Sequence, residues 1–217
     1  MKNSVFATIA ALLSLSVSSV HGDSHGEPHG DSHGEPPSDS QGNSFVVTSS
    51  RSGSPIHLQP VTASDTSLWI GKETSSYCPN PGAGCPAGNV TVLASSGGGA
   101  SLSVLAPGGQ LIYVCPTGAL RYTAPHSASY PPGSTVTGFS YTPGSGAGGL
   151  GRFGFEGAGA TGFIACPVTA GTAPWKLYAN VKDLKDADVP SGKTADCLGF
   201  DALTTPFQQG AGAWQYT

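Results

Sequence analysis

Glycine and proline interrupt this chain so often that its apolar residues are confined to short runs. The sequence holds 32 glycines and 18 prolines with only 10% charged residues. That balance removes the best helix formers and supplies turn residues at short intervals. About a dozen runs rich in Val, Ile, Leu and aromatics stand between the breaks, which is the pattern of many short strands. They are Phe45–Thr48, Ile56–Val61, Leu68–Ile70, Val90–Ala94, Leu102–Leu105, Leu111–Cys115, Leu120–Thr123, Val136–Tyr141, Phe153–Phe155, Phe163–Cys166, Trp175–Ala179 and Cys197–Leu203. Pro107-Gly108-Gly109 and Pro116-Thr117-Gly118 fall between neighbours at hairpin length, so Leu102 to Thr123 reads as a three-strand meander. Only Val181 to Asp188 has room for a helical turn or two. The prediction is one all-β domain, with a β-trefoil slightly favoured over a Greek-key β-sandwich.

The chain divides into three parts. Lys2 followed by the apolar stretch Phe6–Leu15 and small residues forms a secretory signal over residues 1–22, too short to span a bilayer. Residues 23–43 consist almost wholly of Asp, Ser, His, Gly, Glu, Pro and Gln, with an imperfect octad starting at Asp23 and again at Asp31. Without aromatic or branched aliphatic side chains this segment cannot offset its ordering entropy, so it reads as a disordered histidine-rich tail. Residues 44–217 form the all-β domain, long enough to bury a sizeable core. The chain is therefore expected to be secreted and extracellular.

The net charge of −4 comes without a basic run, which gives no handle on nucleic acid or anionic lipid. The end of the sequence, Gly212-Ala213-Trp214-Gln215-Tyr216-Thr217, carries no hydrophobic tail, so no membrane anchor is expected. Five cysteines in an oxidising compartment should mostly pair. Cys78 and Cys85 bracket a Pro/Gly loop and form the first expected disulfide; Cys166 and Cys197 flank strand-like runs and form the second. Cys115 is left as a buried thiol acting as a small hydrophobe.

Chemistry-bearing groups are sparse. The acids Asp65, Glu73, Glu156, Asp183, Asp186, Asp188, Asp196 and Asp201 mostly sit in turn-like surroundings, His57 and His126 are the domain's two histidines, and no Gly-x-Ser-x-Gly elbow occurs. No catalytic residue and no required cofactor are assigned, and the chain is expected not to be an enzyme. Asn89-Val90-Thr91 is the acceptable N-glycosylation sequon. Exposed aromatics stack on sugar faces, and Tyr77, Tyr130 and Trp214, flanked by turn formers, are the candidate glycan contacts; Trp69 and Trp175 lie within strand patterns and are expected in the core.

The sharpest chemistry lies in the tail. Cleavage after Gly22 creates the terminus Asp23-Ser24-His25, where an amine, two deprotonated amides and an imidazole form a square-planar nitrogen set suited to Cu(II). His29 and His33 add weaker imidazole ligands. A copper-handling protein is thus one alternative function, and an extracellular glycan-binding module another.

Ser52-Gly53-Ser54-Pro55-Ile56-His57-Leu58-Gln59-Pro60-Val61 followed by Ser67-Leu68-Trp69-Ile70-Gly71 resembles a group of fungal secreted proteins. The likeness continues through Gly108-Gly109-Gln110-Leu111-Ile112-Tyr113-Val114, Phe163-Ile164-Ala165-Cys166-Pro167, Trp175-Lys176-Leu177-Tyr178-Ala179 and Asp196-Cys197-Leu198-Gly199-Phe200. The group is the secreted IgE-binding and cell-wall proteins, the family of the wall protein needed for phialide development. The resemblance implies a secreted or wall-associated fungal protein and transfers no catalytic signature; for such a protein, wall polysaccharide or other wall proteins are the expected partners.

Overall fold

The strand Thr172–Val181 shows how this sequence makes its sheet. Trp175, Leu177 and Ala179 point into the main core, while Lys176, Tyr178 and Asn180 point the other way. That two-residue period places one face of each strand inside. A computed structural model describes residues 43–217 apart from 81, 83 and 147. The leader, the histidine tail and the proposed copper ligands Asp23, Ser24, His25, His29 and His33 lie outside the described residues.

The strands are β1 (Ser44–Ser50), β2 (Val61–Ser64), β3 (Ser67–Ile70), β4 (Ser76–Tyr77), β5 (Leu93–Ser96), β6 (Gly99–Leu102), β7 (Gln110–Val114), β8 (Leu120–Tyr122), β9 (Phe139–Thr142), β10 (Gly151–Gly157), β11 (Ala160–Thr169), β12 (Thr172–Val181), β13 (Leu198–Pro206) and β14 (Gln215–Tyr216). The main sheet runs β1-β5-β6-β7-β8-β3-β12-β11-β13-β10-β9, and β1 pairs back onto β13. The sheet thereby closes, and β10, bonded to both β11 and β13, brings the ring to ten strands. Closure leaves few free edges to recruit other chains. The barrel confirms the all-β class, and a β6-β7-β8 meander is present, though its first strand is Gly99–Leu102 and not the expected Leu102–Leu105; the barrel by itself decides neither the trefoil nor the Greek-key sandwich.

Phe45, Leu68, Leu93, Ile112, Leu120, Phe153 and Phe163 fill the interior. Among their neighbours only about 10 Å³ remains, at most room for one water, so the barrel is a packed core and not a ligand cavity. A chain of aromatic contacts, Phe45–Phe153 at 5.4 Å and Phe153–Phe163 at 5.3 Å, crosses this core.

A second small core lies outside the barrel. Ala119, Cys166, Tyr178 and Val189 cluster beneath the excursion from β12 to β13, joined by Cys115, Ile164, Leu184 and Cys197. The Cys166–Cys197 disulfide and a hydrogen bond from the Tyr178 hydroxyl to the Asp188 carbonyl at 2.9 Å hold the excursion down. Its helical content is two 3-10 turns, Asp186–Asp188 and Thr194–Asp196. Asp186 joins them by accepting from the Thr194 N–H and hydroxyl, both at 2.7 Å.

Several expectations fail, among them a buried Cys115, which is only half-buried. Ile56–Val61 is not one strand: residues 56–58 turn, Leu58 adopts φ 57°, Ser49 of β1 exchanges backbone hydrogen bonds with Leu58 and Gln59, and only Val61 belongs to a strand, as the start of β2. Ile56 is buried and Leu58 is 61% exposed, so the apolar pair mimicked a strand while serving a turn. Trp69 is only half-buried on the barrel's outer face, whereas Trp175 is in the core as expected. The short β4–β14 ladder had no signal in the hydrophobic pattern; it is positioned by Gln110, whose amide donates to the Tyr216 carbonyl at 2.9 Å and whose oxygen accepts from the Tyr216 N–H at 2.8 Å.

Candidate functional site

β13 changes partners halfway along. Leu198–Phe200 pair with β11, and Ala202–Thr204 pair with β10. β10 and β11 themselves meet only at Glu156–Thr161 and Gly157–Ala160, so the three strands part around Asp201. A break in the β11–β12 register between Ala160 and Phe163 leaves Thr161 and Gly162 out of that ladder. Gly162 has φ +73° and open space where a Cβ would project, the geometry of a bulge that re-aims its neighbours.

The result is an open groove on the barrel wall. One arm is bordered by Arg51, Asn180, Gly199 and Phe200, the other by Arg152, Gly154, Glu156 and Ser140, and Thr161, Gly162, Phe163, Phe200 and Asp201 belong to both. Ser140 also borders a further groove with Asn43, Ser96 and Tyr141. Arg51 is fixed by donating to the Gly199 carbonyl at 2.8 Å, and Arg152 forms an exposed ion pair with Asp201 at 2.9 Å. Phe153, Phe155 and Phe163 at its floor are buried, so Phe200 alone offers partly exposed aromatic surface, and the rim offers guanidinium, amide, hydroxyl and carboxylate groups. Such a surface offers hydrogen-bond donors and acceptors beside one partly exposed ring.

The sequence-selected glycan contacts lie elsewhere. Tyr77 is exposed on β4, paired opposite Gln215, and Trp214 directly precedes that residue but is half-buried. Tyr130 sits against Tyr113 with ring centroids 5.7 Å apart. None of the three borders the groove. Asn89 is exposed in an irregular segment, and the hydroxyl of its sequon partner Thr91 is buried, accepting from the Ala63 N–H at 2.7 Å. Cys78 is bonded to Cys85 and Cys166 to Cys197, and Cys115 is free and half-buried. Burial pushes the Cys115 thiol up, against the pull of Arg121 and Lys176. His57 accepts from the Arg51 N–H through Nδ1 at 3.2 Å and serves the turn. No group of three or more metal-ligating side chains occurs among the described residues. No helix among them is long and apolar enough to cross a membrane.

Sequence reasoning assigned no binding role to Arg51, Asn180 and Phe200, and weighed Asp201 only as a turn-like acid. A glycine inside a strand-like run, Gly162, was the available sign of a bulge.

The model of the PhiA-like secreted proteins matches residues 45–217, almost the whole described domain. The chain belongs to that family. A protein of Arthroderma benhamiae described as an uncharacterized secreted protein is 39% identical over 160 residues, covering 73% of this chain and 77% of the relative. No solved structure matches the chain. The PhiA-like chain is thus a secreted protein of the extracellular fungal wall type, and Phe163 and Phe200 of the groove fall within the matched region.

Proposed function

We propose that this protein is a non-enzymatic wall component that holds neutral wall polysaccharide in the groove around Phe200. The observation that carries the reading is the union of the two groove arms through Thr161, Gly162, Phe163, Phe200 and Asp201, which gives an extended path suited to a chain of sugars rather than a single small molecule. Glu156 and Asp201 line that path, yet both are exposed, without the apolar enclosure that makes a carboxyl a general acid. Binding without cleavage is what such a groove supports.

Co-sedimentation of the secreted protein with neutral fungal β-glucan should show retention. Phe200→Ala and Asn180→Ala should each weaken it, the aromatic loss by about tenfold, as expected for roughly 1 kcal/mol or more of stacking. Binding unaffected by both substitutions would remove the groove from the argument. Release of new reducing ends that disappears in Glu156→Gln or Asp201→Asn would overturn the non-enzymatic reading.

For the architecture, the order β1-β5-β6-β7-β8-β3 inserts a four-strand meander between strands that are close in sequence, which favours a Greek-key closed barrel over a trefoil. IgE recognition rests on the sequence resemblance alone, glycosylation at Asn89 on the sequon and its exposure, and Cu(II) binding on the terminal sequence; each stays a proposal.

A further inference from the structure

The chain carries nine Lys and Arg residues and a net charge of −4, yet three of its cations gather on one face of the barrel. Lys72 Nζ lies 4.6 Å and Lys176 Nζ 5.7 Å from the centroid of the Trp69 ring. Trp69 is directly opposite Lys176 across the β3–β12 ladder, and Ser67, two residues earlier on the same face of β3, is opposite Arg121 on β8. Lys72 is paired with Asp65, whereas Lys176 and Arg121 have no carboxylate partner among the described residues. Arg121 instead donates to Thr66, through Nη2 to the hydroxyl at 2.6 Å and through Nε to the carbonyl at 3.4 Å. These bonds aim its remaining donors without neutralising its charge.

Like charges held together on an acidic protein repel one another unless something anionic joins them. Burial, then the neighbouring Arg121 charge, lowers the Lys176 pKa, so the cluster strains the ammonium it displays. On either side the sheet is covered: Tyr130 packs on Tyr113 of β7, and the disulfide-held excursion covers Tyr178 and Cys166. The face between them, Arg121, Trp69, Lys176 and Lys72, is half-buried and lies outside both of these covers. Arg121 and Lys176 stand on strands flanking β3, opposite Ser67 and Trp69, two residues apart along it. They present a row, not a point.

We propose that this row binds the carboxylate groups of an acidic polysaccharide, at a site separate from the groove around Phe200. Spaced cations match anionic groups repeated along a polymer, and the Trp69 ring, anchored by its Nε1–H donating to the Ser64 carbonyl at 2.8 Å, lies beneath both ammonium groups. Planar guanidinium and ammonium donors both suit carboxylate oxygen.

The test uses the full secreted protein in affinity electrophoresis with polygalacturonate as the probe, beside monomeric galacturonate, inorganic phosphate and neutral β-glucan. Retardation by polygalacturonate should fade as salt rises through physiological strength, because exposed charge contacts are screened. Lys176→Gln should weaken retention about fivefold, and Lys72→Gln with Lys176→Gln by roughly tenfold or more, near 1 kcal/mol per exposed contact. Lys176→Arg should retain it, and Arg152→Gln in the groove should leave it unchanged. All variants should melt with the parent protein; Lys72 is peripheral enough for its single substitution to serve if the double variant does not. Absence of retardation, or equal retardation of the Gln variants, overturns the proposal. Competition by monomer or phosphate at the same concentration of anionic groups as the polymer would also overturn it, by reducing the row to a simple ion site. β-Glucan binding that persists in the Lys variants leaves the groove reading standing on its own.

Discussion

Gln110 is a polar residue at 1% exposure in a strand otherwise occupied by apolar side chains, and its hydrogen bonds explain why it is there. Its amide donates to the Thr123 carbonyl at 3.1 Å as well as to Tyr216, and Tyr216 donates back to it. Tyr216 is similarly tied at its other end, donating from its hydroxyl to the Val90 carbonyl at 2.7 Å and accepting from the Val92 N–H at 2.9 Å. A buried group stripped of its partner loses more than the bond itself, because its desolvation is then uncompensated. Gln110→Leu should therefore destabilise the fold by about 2–4 kcal/mol, and Tyr216→Phe by about 1–3 kcal/mol, measured by urea unfolding. The two together should lose less than the sum, since both anchor the same terminal strand. Additive losses would show that the clamp is not one unit. Sequence reasoning overlooked Gln110 because a lone glutamine among Leu, Ile and Val gives no pattern; its partners are 13 and 106 positions away.

At the scale of elements, the two disulfides should contribute unequally. Cys78–Cys85 spans 7 positions and Cys166–Cys197 spans 31. Chain entropy assigns roughly 2 kcal/mol to the first loop and roughly 3–4 kcal/mol to the second. Cys166→Ala with Cys197→Ala should also loosen the excursion packed on Tyr178, which hydrogen exchange over residues 184–197 would register before global unfolding. If the short bridge proved the more stabilising, loop length would not be the governing quantity. Both pairs were legible in the sequence because cysteines in a secreted chain restrict the choices and each pair flanks recognisable punctuation. The strands were legible wherever alternation and turns agreed, as in β7 and β8, whereas β6 lies just before the expected Leu102–Leu105. They were misread at Ile56–Val61, where one apolar residue turns inward and the next outward within a turn that β1 holds. Tyr77, Tyr130 and Trp214 are poor guides to the groove for a related reason: flanking residues report exposure and say nothing about which side chains converge. Convergence at Asp201 arises only when β13 passes from β11 to β10, which is a property of long-range register.

The described domain is a barrel closed by long-range pairs and sealed with tyrosines, and this gives it a definite response to alkali. Burial pushes Tyr178 and Tyr216 up to about 12 from an ordinary value of 10.0, and pushes Tyr122 up as well. Tyr216 seals the terminal strand, Tyr122 donates to the Thr217 carbonyl at 3.0 Å, and Tyr178 pins the excursion to β12. A raised folded value means that the unfolded chain loses these protons first. Their contribution to stability is whole below pH 10, declines as the unfolded tyrosines ionise, and is gone as pH passes through about 12. Unfolding free energy should therefore fall steadily across that interval, and the last phenolate absorbance should appear together with the loss of near-ultraviolet circular dichroism. Tyr178→Phe should flatten the decline, because a side chain that cannot ionise cannot favour the unfolded state in alkali. Should all tyrosines ionise near pH 10 while the near-ultraviolet signal persists, the buried phenols would not be coupled to the fold, and the seal would be mechanical contact alone.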